Sequence, residues 1–429
     1  MTSSRPPIPQ PVPASSLPPP EAPPSLQPPS LGPLRVVTLT PAPGSLELGI
    51  IFKRTYVISH AQPCRLADAQ IPLDDNGAFH EPLAEGIAPS FRSLPEVIAV
   101  KTGTDVVVQA SARSPRPVTV MRAAVQIGSY VHHAAVFGRR FCDWSRGRIR
   151  FTDPEPLDTL PLRYENAYGG RDLAFEKVFL DEVKERTDPD AYRRAKAVAA
   201  GMLEANHSFM YPRNRFGKGY IIENRPEAVQ GRELPNIERP DDLLTPERIV
   251  VGHPFDWDKQ PIPAGFDYLD PLSFPRSAML AIPPPSSREI SAAREVSGGL
   301  VPPDFFRGNL FSHPPEKLPD LIHPDVSRCA SLGLRLPFLR GDEQVVLSGI
   351  DPAIPDYVVP LPGETPVFRF HTPDVSFADV VPQLHLVFID PIRKLLTLTW
   401  AARVPLSRPL RPGDEKELAT AAQFQMRRA

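Results

Sequence analysis

The sequence predicts a mainly β protein: antiparallel sheets in a sandwich- or barrel-like, loop-rich body, interrupted by an α-helical hairpin at 173–206. Three observations carry this. Proline makes up 57 of the 429 residues, against an average usage of roughly 5%. Each proline inside a helix costs about 3 kcal/mol, so long helices are excluded from most of the chain. Several short segments alternate apolar and polar residues with the period of a half-buried strand. They follow one another with short links, as antiparallel neighbours do and βαβ units do not.

The elements follow in order. Residues 1–33 hold 13 prolines among Ser, Ala, Gln and Leu. Such a segment buries too little apolar surface to offset its ordering entropy. It reads as a disordered, polyproline-rich tail, a linker in preference to a docking peptide. From Leu34 the composition changes. LRVVTLT and ELGIIFKRTYVIS are β-branched and aromatic, with Leu48, Ile50, Phe52, Tyr56 and Ile58 on one face of a half-buried strand. DVVVQASA (105–112), PVTVMRAAVQIG (117–128) and YVHHAAVFG (130–138) repeat the signature, with Ser-Pro-Arg-Pro and Gly128-Ser129 as turns.

Residues 173–206 differ. Phe175, Phe179 and Val183 recur at helical spacing, and Asp188-Pro189 reads as the N-cap and first position of a second helix. Tyr192, Ala195, Ala199 and Met202 line one face of it. Residues 208–285 read as irregular, turn-rich chain that ends a main β lobe begun at Leu34, and 286–330 as a Pro-rich connection. A second β region spans 331–410, with EQVVLSGI (343–350), TPVFRFH (365–371) and a hairpin at 383–400 turning at Asp390-Pro391. Residues 411–429 read as a short C-terminal helix, with Asp414 and Glu417 in capping-box spacing.

Bulk properties bound the function. A chain this long exceeds the usual single-core ceiling of about 250–300 residues, so two packed lobes are expected. Net charge is −2, from 48 basic and 50 acidic residues, which argues against a polyanion or nucleic-acid binder. Cys64, Cys142 and Cys329 are far apart and form no C-x-x-C. A disulfide framework and a structural zinc site are therefore not expected, and a reducing cytoplasm is the simplest setting. No signal pattern opens the chain and no apolar run approaches ~18 residues.

The search for chemistry finds no nucleophile with a positioned base. His132 and His133 are adjacent on a strand and face opposite ways. The loop GHPFDWD (252–258) offers His253, Asp256 and Asp258 without metal-ligand spacing. Asp241-Asp242 reads as a solvated turn, and RFGKGY (215–220) has the wrong lysine spacing for a phosphate loop. No catalytic residue, cofactor or metal is assigned.

What the chain offers instead are loop motifs of Pro, Gly, Asn, Arg and aromatic residues. VFGRRFCDW (136–144), LPLRYENAYGGRD (160–172), GRELPNIERP (231–240) and PAGFDYLDPLSFPR (263–276), followed by FLRGDEQVVLSGIDP (338–352) and VPLPG (359–363), resemble domain of unknown function family 2169. The resemblance covers about residues 34–410. The helices at 173–206 depart from the family pattern, and YPRNRFGKGY (211–220) stands only loosely for its Asn-Pro-x-Gly-like segment. The resemblance implies a bacterial, cytoplasmic adaptor or chaperone of type VI secretion. It would bind a secreted effector and a spike protein, a valine-glycine-repeat trimer with a PAAR-type tip, and neither nucleic acid nor membrane. The partner-binding or structural positions are Arg163, Tyr164, Glu165, Tyr168, Gly169 and Gly170, then Leu234, Pro235, Asn236, Ile237 and Glu238, then Phe266 and Asp267. Gly169-Gly170 is expected to be a sharp corner with a glycine at positive φ. The competing readings are a hydrolase-like enzyme acting through Asp and His of the 252–270 loop, and a carbohydrate-binding β-sandwich.

Overall fold

The structure is a computed structural model that describes residues 32–39, 46–98, 100–186, 188–190, 193, 209–252, 256–274, 324–371, 376–406, 409–411 and 413–428. The leader before Gly32 and the connection at 286–323 lie outside these residues.

Strand β1 (Leu34–Leu39) pairs antiparallel with β2 (Glu47–Val57), on which short β3 (Arg65–Leu66) folds back. A small ladder joins β4 (Ala78–Phe79) to β5 (Phe91–Ser93). Next come β6 (Thr104–Val108), β7 (Ser111–Val118), β8 (Val120–Ile127) and β9 (Tyr130–Phe137). The hairpin β10 (Cys142–Ser145) and β11 (Arg148–Phe151) precedes β12 (Leu157–Pro161), β13 (Tyr168–Gly169) and helix α1 (Leu173–Arg186). Then follow β14 (Lys218–Gly219), the one-turn helix α2 (Pro226–Val229), β15 (Ile237–Glu238) and β16 (Arg335–Leu336). The chain ends with β17 (Gln344–Ser348), β18 (Asp356–Pro360), β19 (Glu364–His371), β20 (Ser376–Val380), β21 (Gln383–Asp390), β22 (Leu395–Pro405), helix α3 (Asp414–Ala421) and β23 (Gln423–Arg428).

The protein is mainly β, as the alternation predicts, in open sheets; none closes into a barrel among the described residues. The largest sheet runs β1-β2-β22-β21-β6-β16, and a five-stranded sheet runs β15-β9-β8-β17-β18. Early and late strands share both sheets. Strand β22 pairs with β2, β21 with β6, and β17 with β8. The sequence ranges 34–285 and 331–410 thus build one main core together. The β6–β21 ladder is parallel, a departure from the antiparallel expectation. It arises because these strands are remote in sequence, so no short link dictates their direction.

Strand β2 is not half-buried but buried on both faces. Phe52, Tyr56, Leu48 and Ile50 enter the main core, while Ile51 packs with Leu73 and Ala401 on the other side. Lys53 is buried there as well, with its ammonium on Glu96 at 2.6 Å and on the Pro72 carbonyl at 3.2 Å. A second strand shares the pattern: β6 is buried along its whole length. Its Asp105 carboxylate accepts from Lys101 at 2.7 Å and Arg328 at 2.8 Å. Burial alone would raise Asp105, but these two cations outweigh it and hold the carboxyl well below the usual carboxylate range.

Ser114-Pro115-Arg116-Pro117 is a strand rather than a turn. These residues lie within β7, which among the described residues ladders only with β12. The prolines fall in the register shift of that ladder, where no backbone donor is required. The Gly128-Ser129 hairpin between β8 and β9 and the Asp390-Pro391 turn between β21 and β22 are where the sequence places them. Helix α1 forms as expected. Of the second helix only Pro189, Asp190 and Arg193 are described; the Asp190 amide donates to Asp188 Oδ1 at 2.8 Å, the bond of an N-cap.

The C-terminus departs from a simple helix. The N-cap of α3 is Gly413 at φ 100°, with Asp414 already in its first turn. The helix ends at Ala421, and β23 then pairs with β19. Phe424 and Met426 alternate with Gln423, Gln425 and Arg427, the period of a strand. The Phe424 ring lies 5.0 Å from Phe52 and 5.7 Å from Phe368. The last strand is thereby part of the aromatic core. Phe424→Ala is expected to lower stability by about 3 kcal/mol in denaturant titration. A change below about 0.5 kcal/mol, usual for surface positions, would mean that the terminus frays.

Candidate functional site

The segment 160–172 joins two cores. Leu162 lies in the main core, whereas Tyr168 lies in a second one with Phe209, Tyr211, Tyr220, Leu234 and Trp257. Residues 209–252 and 256–274, irregular as expected, thus surround a packed interior. Their order comes from side chains and short bridges rather than from long ladders.

Between the two cores the chain makes a 3-10 turn at Tyr164–Asn166 and enters β13, which pairs parallel with β14. Both glycines have positive φ, 148° for Gly169 and 86° for Gly170. A Cβ on Gly169 would stand 2.1 Å from the Asn214 carbonyl oxygen, and one on Gly170 equally close to that of Gly217. The glycines therefore serve close backbone approach as well as turning. The Gly170 amide donates to Asn214 O at 2.9 Å, and the Tyr211 amide donates to Gly170 O at 2.8 Å. The Asn214 side-chain amide donates to Tyr164 O at 2.8 Å and Tyr168 O at 3.1 Å. The segment 211–220, a loose match in sequence, is thus the direct partner of the glycine turn.

Residues 231–240 lie alongside. The Asn236 amide donates to Asn166 O at 2.8 Å, and its side chain donates to Phe137 O at 2.9 Å. Ile237 pairs with Val136 in β9. Glu238 is buried against Arg140 and accepts from the Leu244 amide at 2.7 Å. The Pro235 carbonyl accepts from Arg140 at 3.1 Å, and Leu234 is wholly buried. Asp172, not among the positions the sequence singles out, is fully buried and accepts from the amides of Phe175 and Ile222. It caps α1 and ties it to the second core.

Three of the assigned residues converge on the base of one loop. Glu165 accepts from the amide and the hydroxyl of Ser90, both at 2.7 Å. Asp267 bonds His80 Nε2 at 2.6 Å and accepts from Gln109 at 2.9 Å. Arg163 donates to the Glu81 carbonyl at 3.2 Å. The His80 amide closes the base by donating to Ser90 O at 2.9 Å. Between these clamped ends, residues 81–88 are all exposed. Leu83 is 38% and Ile87 40% exposed, and Phe79 beside them 51%. Phe266, next to Asp267, is buried in the main core: its carbonyl accepts from the Val108 amide at 2.7 Å, and its ring packs on His132 at 4.9 Å. His80 and Ser90 carry no sequence signal, because each is a lone polar residue in a turn-rich stretch.

The chemistry of the remaining candidates is quiet. Burial pushes the Cys142 thiol up to about 12 and the Cys64 thiol up to about 11, so neither is a ready thiolate at neutral pH. Burial likewise pushes the Tyr164 phenol up to about 12. His132 faces inward, where burial brings its imidazole down to about 4 and its Nε2 meets Gly265 O at 2.8 Å. Asp241 pairs with Arg239, while Asp242 accepts from Arg248 and the Ile262 amide, so the second is a loop tie rather than a solvated turn. His253 lies outside the described residues, and among those described no three His, Cys, Asp or Glu side chains gather as a metal site would require. No described helix is long and apolar enough to cross a membrane.

Buried polar groups thus hold both ends of an exposed loop. The chain belongs to a family of uncharacterized proteins conserved in bacteria, domain of unknown function family 2169, whose profile matches residues 44–401. No curated protein and no solved structure matches it.

The glycine contacts give a direct expectation. Gly86 has φ 79° and open space around its Cβ position, whereas Gly170 has both positive φ and an obstructing carbonyl. Gly86→Ala is expected to cost about 1 kcal/mol of backbone strain, and Gly170→Ala clearly more, 3 kcal/mol or above on the order-of-magnitude scale of strain plus displacement. Equal melting temperatures for the two variants would rule out the close approach.

Proposed function

We propose that the protein is a non-catalytic adaptor or chaperone of the bacterial cytoplasm that binds a type VI secretion effector and helps to load it on the spike. The observation that supports this reading is the clamp beneath residues 81–88. Side chains from family motifs at 163–165 and 267 are used up in holding the two ends of an exposed loop. Rigidly mounted loops with apolar side chains are a common form of protein-recognition surface. The polar groups of Glu165, Asp267 and Glu238 already have internal partners, so their roles are structural and the contact with a partner falls to the surface.

The test is made in the native bacterium. Deleting the gene is expected to abolish export of one effector while the spike protein is still exported, and wild-type protein restores export. A Leu83→Asp/Ile87→Asp variant is expected to melt within a few degrees of wild type yet restore effector export poorly, at a tenth or less of the wild-type level, about 1.4 kcal/mol of lost binding. Unchanged effector export in the deletion strain would refute the adaptor reading. Full rescue by the loop variant would move the contact elsewhere on the surface.

A further inference from the structure

A cavity of about 420 Å³ lies between β1, β2, α3 and β23. Its walls include Leu34, Phe52, Leu73, Phe368, Ala422 and Phe424, and the exposed ion pair Arg35–Asp75 at 2.9 Å stands at its rim. The three phenylalanine rings form one cluster, with Phe52 centred 5.3 Å from Phe368. The volume falls in the range of small-ligand sites, about 300–1,000 Å³.

The chain itself arrives at this cavity. Gly32 and Pro33 form part of its wall. Gly32 has φ 72°, and a Cβ there would stand 2.6 Å from the Lys53 carbonyl oxygen and 3.0 Å from the Phe52 ring. The Lys53 amide donates to Pro33 O at 3.0 Å, which fixes that point of the backbone against β2. Just before it, residues 23–31 read PPSLQPPSL, two Pro-Pro-Ser-Leu units with no charged residue.

The geometry points to the leader as the occupant: residues 23–31 pack their leucines and prolines into this cavity, against the Phe52–Phe368–Phe424 cluster. Aromatic-lined grooves take proline-rich chain because the polyproline II conformation loses little entropy on docking. The segment brings no charge that would have to be desolvated. Its tether at Gly32 holds it at an effective concentration in the millimolar range, so a weak contact is enough to fill the site. The contact would join the leader to the C-terminal strand and cover Phe424, which is half-buried, whereas Phe52 and Phe368 are already buried.

Hydrogen exchange on the full chain tests this, comparing wild type with Leu26→Asp/Leu31→Asp. The amides of 34–38 and 418–426 are expected to exchange several-fold faster in the variant, while those of β6 remain unchanged. Ala422→Trp, which fills the cavity, is expected to increase thermolysin cleavage at Leu26 and Leu31 several-fold. If the tryptophan variant does not fold, the leader variant still decides, since its β6 amides report whether the core is folded. Identical exchange in wild type and leader variant would overturn the proposal. So would protection that rises with protein concentration, which would place the leader of a second copy in the cavity.

Discussion

The carboxylate of Glu165 is the constraint on which the exposed loop at 81–88 depends. It is buried, and a buried carboxylate must have its oxygens satisfied. Both are satisfied by one residue, Ser90, through amide and hydroxyl. That choice fixes the far end of the exposed loop to the 3-10 turn at Tyr164–Asn166. The near end is fixed separately by His80 on Asp267, and the backbone bond from His80 to Ser90 brings the ends together. A loop of exposed residues is thereby held by groups that solvent does not reach.

The turn that carries Glu165 must itself be held, and here the glycines matter. Leu162 anchors the segment in the main core and Tyr168 in the second. The crossing between them is tight enough that Gly169 and Gly170 touch the backbone of 214–217. Asn214 then bonds the carbonyls of Tyr164 and Tyr168 on either side of Glu165. Residues 231–240 close the assembly from β9, through Asn236 on Asn166 and Phe137. Motifs separated by a hundred residues thus become a single hydrogen-bonded frame, and most of their side chains have an internal partner.

Strand periodicity was a reliable guide where one face meets the core and links are short, as at Gly128-Ser129 and Asp390-Pro391. It misled where tertiary context overrode it. Lys53 and Thr55 read as solvent-facing in β2, but Glu96 and Gln70 follow them into the interior as partners. Pro115 and Pro117 read as a turn, but an edge strand with a register shift has no use for their missing donors. The alternation of Phe424 and Met426 was present in the sequence, but the capping residues just before it drew the whole terminus into a helix. The loop motifs lie together in the hydrogen-bonded frame. Its other half was invisible, because His80, Ser90 and Asn214 become meaningful only when distant segments meet.

The most direct measurement is hydrogen exchange in Glu165→Gln, a change that keeps the shape of the side chain and removes its charge. A neutral amide presents only one acceptor to Ser90. If Glu165 acts by clamping the loop, amides from His80 to Ser90 should exchange at least several-fold faster, while those of Tyr211 and Tyr220 in the second core keep their wild-type rates. Unchanged exchange across 80–90, in a variant that has nonetheless lost partner binding, would contradict the account and make Glu165 a contact residue instead.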